Sequence, residues 1–302
     1  MKIAIATRHN LPDWEQDDQP FFQALTDAGI QHDVMPWDSD IRWSDYDLCL
    51  LRTTWDYQER FEEFTQWVKT VSQHTQLCNP ETVIHWNSHK GYLRELEQNG
   101  IQIAPSVWLD RGQAYDIKSI MAEKGWQQGF IKPLIGANAR ECCRFNSDEP
   151  GLARAKAHID RLITYEDLVL QPYLSTVESF GETSGIFFNN QFSHGTRKVP
   201  VQGDFRVQDD YGASDFPYQL SDAEKVLADK ALKYVCDHYL PPGQEQLLYA
   251  RIDFLHDADG TPYLNEMELI EPSLFFRHGG KQACDTLVSA IQTIKNNGVI
   301  NE

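Results

Sequence analysis

Two rhythms of apolar and polar positions run along this chain. Residues 2–6, 32–37, 47–51 and 77–78 read as short strands, while residues 21–28 and about 59–71 repeat apolar positions at helical spacing. Gly29 follows the first helical run and suits its C′ position, where the backbone turns left-handed. Strands alternating with helices in this way predict a small doubly wound domain.

Further on the pattern becomes mixed. Residues 88–98 read as a helix with Asn87 as N-cap and a stop at Asn99-Gly100. Residues 105–109 read as a strand, with a helix following to about Lys124. Residues 130–134 form a strand, 148–163 a helix, and 168–174 a strand that Pro172 must end or place at an edge. Residues 180–189 and 191–200 pair as a hairpin about Asn189-Asn190. Residues 201–219 are polar, carry Arg206 and Gly212, show no clear secondary structure, and at that length suggest a functional lid. Residues 222–239 and about 282–296 read as the last helices.

The sharpest pattern lies between those helices. Apolar runs at residues 250–255 and 261–272 flank Asp259-Gly260, a strong hairpin signal. With these as the turn residues, Asp253 faces Glu266 and Arg251 faces Glu268, and all four share one face. Opposed carboxylates have Cβ atoms roughly 4.5–5.5 Å apart and repel, so a cation is expected between them. Two readings follow from the residue types. One is Mg²⁺, which prefers carboxylate oxygens; the other is an Arg251–Glu268 salt bridge on a solvated face.

Other positions carry candidate chemistry. Ligands of doubly wound sheets bind beyond the carboxyl ends of the strands. There the segments Thr7-Arg8-His9-Asn10 and Arg52-Thr53-Thr54-Trp55-Asp56-Tyr57 either hold a small polar acid or pack as ordinary turns. Lys90, in the first turn of a helix, opposes the helix dipole and either meets an anion or sits at a solvated end. Lys132 is the only charge among apolar strand neighbours and needs an anionic partner. The small-residue turn 135–140 either folds over phosphates with its N–H groups or is a plain hairpin. The strand interrupted by Pro172 has backbone groups that could read the edge of an adenine.

Composition narrows the classes. At 302 residues the chain exceeds what one core usually supports, so two or three subdomains are expected. The net charge of −18, from 45 acidic and 27 basic residues with no Lys/Arg run, argues against nucleic-acid or anionic-membrane partners. The six cysteines lack CxxC spacing and predict free thiols in a reducing cytoplasm. The apolar runs are too short for a signal peptide or a membrane span, so a cytosolic protein is expected. No heptad or apolar stripe reveals an oligomeric state.

The order of these pieces resembles the ATP-grasp superfamily, and within it the glutathione-synthetase-like group. The likeness rests on Lys90, Lys132 with its small-residue loop, Gln171-Pro172-Tyr173-Leu174, the hairpin carrying Glu182, Arg197-Lys198, Arg206, and Asp253 with Glu266-Met267-Glu268. Residues 52–57, 192–200 and 203–208 are further similar to the O-ureidoserine-cyclising ligases of cycloserine biosynthesis.

That resemblance implies an α/β fold, α+β in its C-terminal part. A doubly wound pre-ATP-grasp domain would span 1–85, an ATP-grasp subdomain 86–170, and a catalytic subdomain with the metal site 171–302. It implies an ATP- and Mg²⁺-dependent carboxylate–amine ligase working through an acyl phosphate on a small amino-acid-like substrate, with ring closure within one molecule as an option. Carried over residue by residue, Lys90 and Lys132 would hold phosphates, and the backbone of Gln171, Tyr173 and Leu174 would read adenine. Glu178 or Glu182 would take the ribose hydroxyls, and Asp253, Glu266 and Glu268 would bind two Mg²⁺, or Mn²⁺ in their place. Arg206, with Arg197 and Lys198, would stabilise the transferring phosphoryl group and the later oxyanion. Arg8, Arg52, Thr54 and Asp56 would contact substrate. The implied partners are a small carboxylate and an amine, with a homo-oligomer left open.

Two departures stand out. Glu268 occupies a metal position that is often Asn in the family, and the loop after Lys132 is poor in glycine. Two rival functions are a small-molecule kinase without a nitrogen nucleophile and a nucleotide-binding module without catalysis.

Overall fold

The computed structural model describes residues 1–12, 15–136 and 139–297. Its first elements are β1 (Lys2–Thr7), α1 (Gln19–Asp27), β2 (Gln31–Pro36), β3 (Leu48–Thr53), α2 (Phe61–Ser72) and β4 (Gln76–Cys78). The four strands form a parallel sheet in the order β2-β1-β3-β4, the expected doubly wound arrangement. β1 and β3 are central and covered on both faces, which is why they read as unbroken apolar runs. Gly29 adopts φ +69° after α1.

Next come α3 (Glu81–Asn87), α4 (Tyr92–Gln98), β5 (Val107–Leu109), α5 (Ile117–Lys124), β6 (Gln128–Pro133), β7 (Cys143–Asn146), α6 (Glu149–Leu162) and β8 (Leu168–Pro172). β5-β8-β6-β7 is an antiparallel sheet. α5 and α6 cover one of its faces through Ile117, Met121, Ala155 and Ile159, packed on Leu109, Ile131 and Leu170.

The remaining elements are α7 (Thr176–Ser179), β9 (Glu182–Phe188), β10 (Gln191–Val199), β11 (Ser214–Tyr218), α8 (Asp222–Tyr239), β12 (Tyr249–His256), β13 (Pro262–Glu268) and α9 (Phe276–Asn297). They build an antiparallel sheet, β11-β10-β9-β12-β13. α4 and α8 pack with Ile252, Phe254 and Met267 of this sheet, while Ile186, Phe188 and Tyr249 share a core with α9 and with Ile3 and Ile5 of the first sheet. Tyr249 Oη lies 2.9, 2.8 and 2.8 Å from the carbonyls of Leu51, Cys78 and Ile270, at the junction of the first and third sheets. Asn189 and Asn190 turn the β9–β10 hairpin with φ of 47° and 59°, the mirror-image turn that suits strand twist.

Three expectations are corrected. Asn87 does not cap a helix over 88–98; it ends α3, and its amide binds Met267 O and Leu269 N at 2.8 and 2.9 Å. The buried backbone at the exit of β13 needs those partners more than a helix start does. Residues 201–219 are not wholly irregular, because β11 pairs with β10. The last helix begins earlier than expected, at Phe276, with a kink at Gly280.

All six cysteines are free thiols. Among the described residues no helix is long and apolar enough to cross a membrane.

Candidate active site

Period-two alternation decides which side chains enter the cleft between the second and third sheets. Ile131 joins the core under α5 and α6, so Phe130 and Lys132 line the cleft. Ile252 and Phe254 pack beneath α8, which leaves Arg251 and Asp253 on the open face. Lys198 enters from β10.

The β12–β13 hairpin reaches the expected pairing by an unexpected route. Its loop spans residues 257–261, closed by Asp257 N–H to Thr261 O at 3.2 Å. That sets His256 opposite Pro262 and Leu255 opposite Tyr263, one residue away from the register of a two-residue turn. A bulge then inserts Asn265 and restores Asp253 opposite Glu266 and Arg251 opposite Glu268. It also brings Asn265 and Glu266 to the cleft side by side.

Alternating charges tie the walls together. Lys132 Nζ donates to Asn265 Oδ1 at 3.0 Å, and Asn265 Nδ2 donates to Glu182 Oε2 at 2.6 Å. Lys198 pairs with Glu182 and lies 3.3 Å from Asp253 Oδ2. Asp253 also accepts from Ser184 Oγ at 2.5 Å and from Arg251 at 2.9 and 3.0 Å. Arg251 reaches on to Glu268, and Lys90 bridges Glu266 and the Gly136 carbonyl, the latter at 2.9 Å.

Burial raises the Asp253 carboxyl, but Arg251 and Lys198 outweigh it and hold it at about 2. Burial, with the like charges of Asp253 and Glu266, raises Glu268 against the pull of Arg251. Desolvation lowers Lys132; it lowers Lys90 too, but there Glu266 wins and the net shift is upward.

Of the other residues singled out in the sequence, Gln171, Tyr173, Leu174, Glu182 and Arg206 also line the cleft. Arg206 is held by Asp204 at 2.6 Å and stacks over Tyr211 at 3.9 Å, while Phe205 beside it meets Phe130 edge-on at 5.1 Å. Ala137 and Asn138 of the small-residue turn lie outside the described residues.

Six candidates stand outside the cleft. Arg197 points away from it, as the neighbour of Lys198 must, and lies over the rings of Phe180 and Phe216 at 5.2 and 6.0 Å. Glu178 is taken by Arg144 at 2.6 Å and by Tyr173 Oη at 2.7 Å. Arg52 is buried in a two-pronged pair with Asp18 at 3.0 and 2.8 Å. Thr54 is wholly buried, Asp56 accepts from Trp37 Nε1 at 3.1 Å, and Arg8 donates to the His9 carbonyl at 3.2 Å. Trp55 and Tyr57, between and beside them, do line the cleft.

Sequence reasoning gave no role to Asn265 or Glu271, and gave Arg251 only a salt bridge to Glu268 on a solvated face; that pair forms, but with Arg251 buried in the cleft. The Arg251–Glu268 register was a signal for Arg251; nothing local announces the bulge that brings in Asn265.

Asp253, Glu266, Glu268 and the amide oxygen of Asn265 are hard oxygen donors, the kind Mg²⁺ prefers. As the side chains stand, Arg251 bridges Asp253 and Glu268 and Lys90 holds Glu266. Among the described residues no three His, Cys, Asp or Glu side chains form an ion-holding group. The donor chemistry therefore fits the ion, and admitting it requires these cations to yield oxygens.

Known proteins share this architecture. The structure superposes on that of D-alanine–D-alanine ligase from Bacillus anthracis complexed with ATP with a TM-score of 0.67 at 14% identity, covering 99% of both chains. For the ATP-grasp ligase PsnB with Mg and ADP the TM-score is 0.63 at 15% identity, over 97% of this chain and 98% of that one. The fold is the ATP-grasp fold, the class of architecture that these ligases share. Within the class it is similar to one particular enzyme. Residues 3–79 match the family model for the N-terminal domain of D-cycloserine synthetase DcsG. The cycloserine biosynthesis protein DcsG of Streptomyces lavendulae is 29% identical over 281 residues, 86% of this chain and 88% of that protein. The crystal structure of D-cycloserine synthetase DcsG matches with a TM-score of 0.86 at 24% identity, over 97% of this chain and 99% of that one.

Proposed function

We propose that the cleft takes ATP and the carboxylate of a small amino-acid-like substrate, and joins that carboxylate to an amine. The observation that carries this reading is the set Lys90, Lys132, Lys198 and Arg251 interleaved with Asp253, Glu266 and Glu268 on facing walls. Such an arrangement suits a phosphoryl group, whose transfer needs positioning and charge neutralisation more than covalent chemistry.

Lys90 and Lys132 would hold the phosphates, and the backbone of residues 171–174 would read adenine. Glu182 is left as the ribose acceptor, since it lines the cleft and Glu178 stands outside it with Arg144. Asp253, Glu266 and Glu268 would hold two Mg²⁺, or Mn²⁺, which when bound neutralise phosphate charge. The carboxylate oxygen attacks the γ-phosphorus and ADP leaves. The amine nitrogen then attacks the acyl phosphate carbonyl, phosphate leaves, and the nitrogen gives up a proton. Lys198, Arg206 and Arg251, which line the cleft, would stabilise the negative charge of both steps. Residues 201–213, carrying Phe205 and Arg206, would close over the acyl phosphate and keep water out.

The proposed units remain 1–85, 86–170 and 171–302, and the proposed location is the cytosol. The experiment is ADP release with Mg²⁺ and ATP across amino, ureido and hydroxamate acids and short peptides, each with and without a second amine. One carboxylate that triggers stoichiometric ADP and loses water from its own mass establishes intramolecular closure. A requirement for the second amine establishes intermolecular ligation. ATP binding without ADP from any carboxylate overturns the reading.

A further inference from the structure

Glu271 follows β13 where the chain leaves the third sheet and meets the loop after β3. Trp55 Nε1 donates to its backbone carbonyl at 3.3 Å. The residue is 8% exposed and lines the cleft together with Trp55, Tyr57 and Ser273, while residues 171–174 line it from the second sheet.

Its carboxylate differs from those of Glu182, Asp253, Glu266 and Glu268. Glu182 has Lys198, Asp253 has Arg251 and Lys198, Glu266 has Lys90, and Glu268 has Arg251. Among the described residues the Glu271 carboxylate has a hydrogen bond from its own backbone N–H but no ion pair with a cationic side chain. Arg251, the cation whose field it feels most, is committed to Asp253 and Glu268. Buried charges are ordinarily paired, so a carboxylate left in this state beside a ligand cleft calls for a cation on the ligand.

We infer that Glu271 receives the free ammonium group of the substrate, so that the cleft selects an amino acid whose amine stays unacylated and cationic. Burial raises the Glu271 carboxyl to about 7, against the pull of Arg251, and a bound ammonium would offset that desolvation. Trp55 and Tyr57 supply apolar walls that keep water from competing for the pair. The assignment rests on the ligase reading and deepens it: Glu271 is a specificity residue, separate from the groups that face the phosphates.

The test pairs each acid of the ADP-release panel with its N-acetyl derivative, in the wild type and in Glu271→Gln and Glu271→Asp. The wild type is expected to favour the free amine by about 100-fold in kcat/KM. Glu271→Gln is expected to raise KM for the amino acid and lose most of that preference while KM for ATP stays within about twofold, and Glu271→Asp to restore part of it. A wild type that accepts acetylated acids equally overturns the inference without needing any variant, and so does a Glu271→Gln enzyme that keeps the preference. No ADP from any acid, free or acetylated, overturns the ligase reading and this assignment with it. Turnover without amine preference overturns the assignment alone.

Discussion

Asn265 joins Lys132 to Glu182: it accepts from the lysine ammonium at 3.0 Å and donates to the carboxylate at 2.6 Å, so a single amide links the second sheet to the third. The residue stands where it does because of the bulge in β13. Asn265→Ala should leave Lys132 and Glu182 without this partner at a cost of roughly 1–3 kcal/mol, read as a ten- to hundredfold fall in kcat/KM for ATP. Steady-state ADP release checks it. An unchanged KM and kcat would remove Asn265 from the site.

Neighbours on one strand give a contrast. Lys198→Ala removes a cation that faces Glu182 and Asp253 and should abolish measurable ADP formation. Arg197→Ala removes a guanidinium that lies over Phe180 and Phe216 on the opposite face, and kcat should stay within about threefold. Equal losses in both would show that β10 and β11 reorganise when substrate binds.

Asp253 is buried with two cations around it. Asp253→Asn leaves Lys198 and Arg251 undercompensated, and breaking a buried pair in this way costs on the order of 3 kcal/mol. A fall in melting temperature of several degrees, together with lost ADP formation, is expected. Calorimetry on the two proteins measures the first and the coupled ADP assay the second.

Acid stability should depend on Glu224, which lies away from the cleft. Burial raises its carboxyl, but the hydrogen bonds from His256, Thr183 and Ser221 outweigh it and hold it at about 2, below its ordinary 4.5. A folded-state value below the unfolded one stabilises at pH above about 4.5, and that contribution is lost as the pH falls from there through about 2. The contribution is on the order of 3 kcal/mol. Urea unfolding of the wild type and Glu224→Gln at pH 7 and pH 3 should show the gap between them narrowing in acid. A constant gap would remove Glu224 from the acid limb.

Although α3, α7 and β11 were not legible in the sequence, the order of most strands and helices, the doubly wound start, the hairpin turned by Asn189-Asn190 and the face shared by Arg251, Asp253, Glu266 and Glu268 were. Each follows from local rules: the period of the side chains, the backbone freedom of Gly and Asn, and the spacing of apolar runs. Even Lys198 and Arg197 obey alternation, once the side of β10 that faces the cleft is known.

What tertiary structure decided was which partner each polar side chain met. Arg52 looked like a substrate ligand because of where it leaves β3, but Asp18 reaches it from the start of α1 and buries the pair. Asn87 looked like a helix cap, but the end of β13 offered it buried backbone groups. Glu178 was drawn to Arg144 on β7, and Asn265 entered the cleft only because a longer loop and a bulge offset one another. Periodicity fixes the face a residue presents, because it is a property of neighbouring peptide units. The partner waiting on that face comes from a distant part of the chain, and the free energy of burying unpaired polar groups selects it only when the elements have packed.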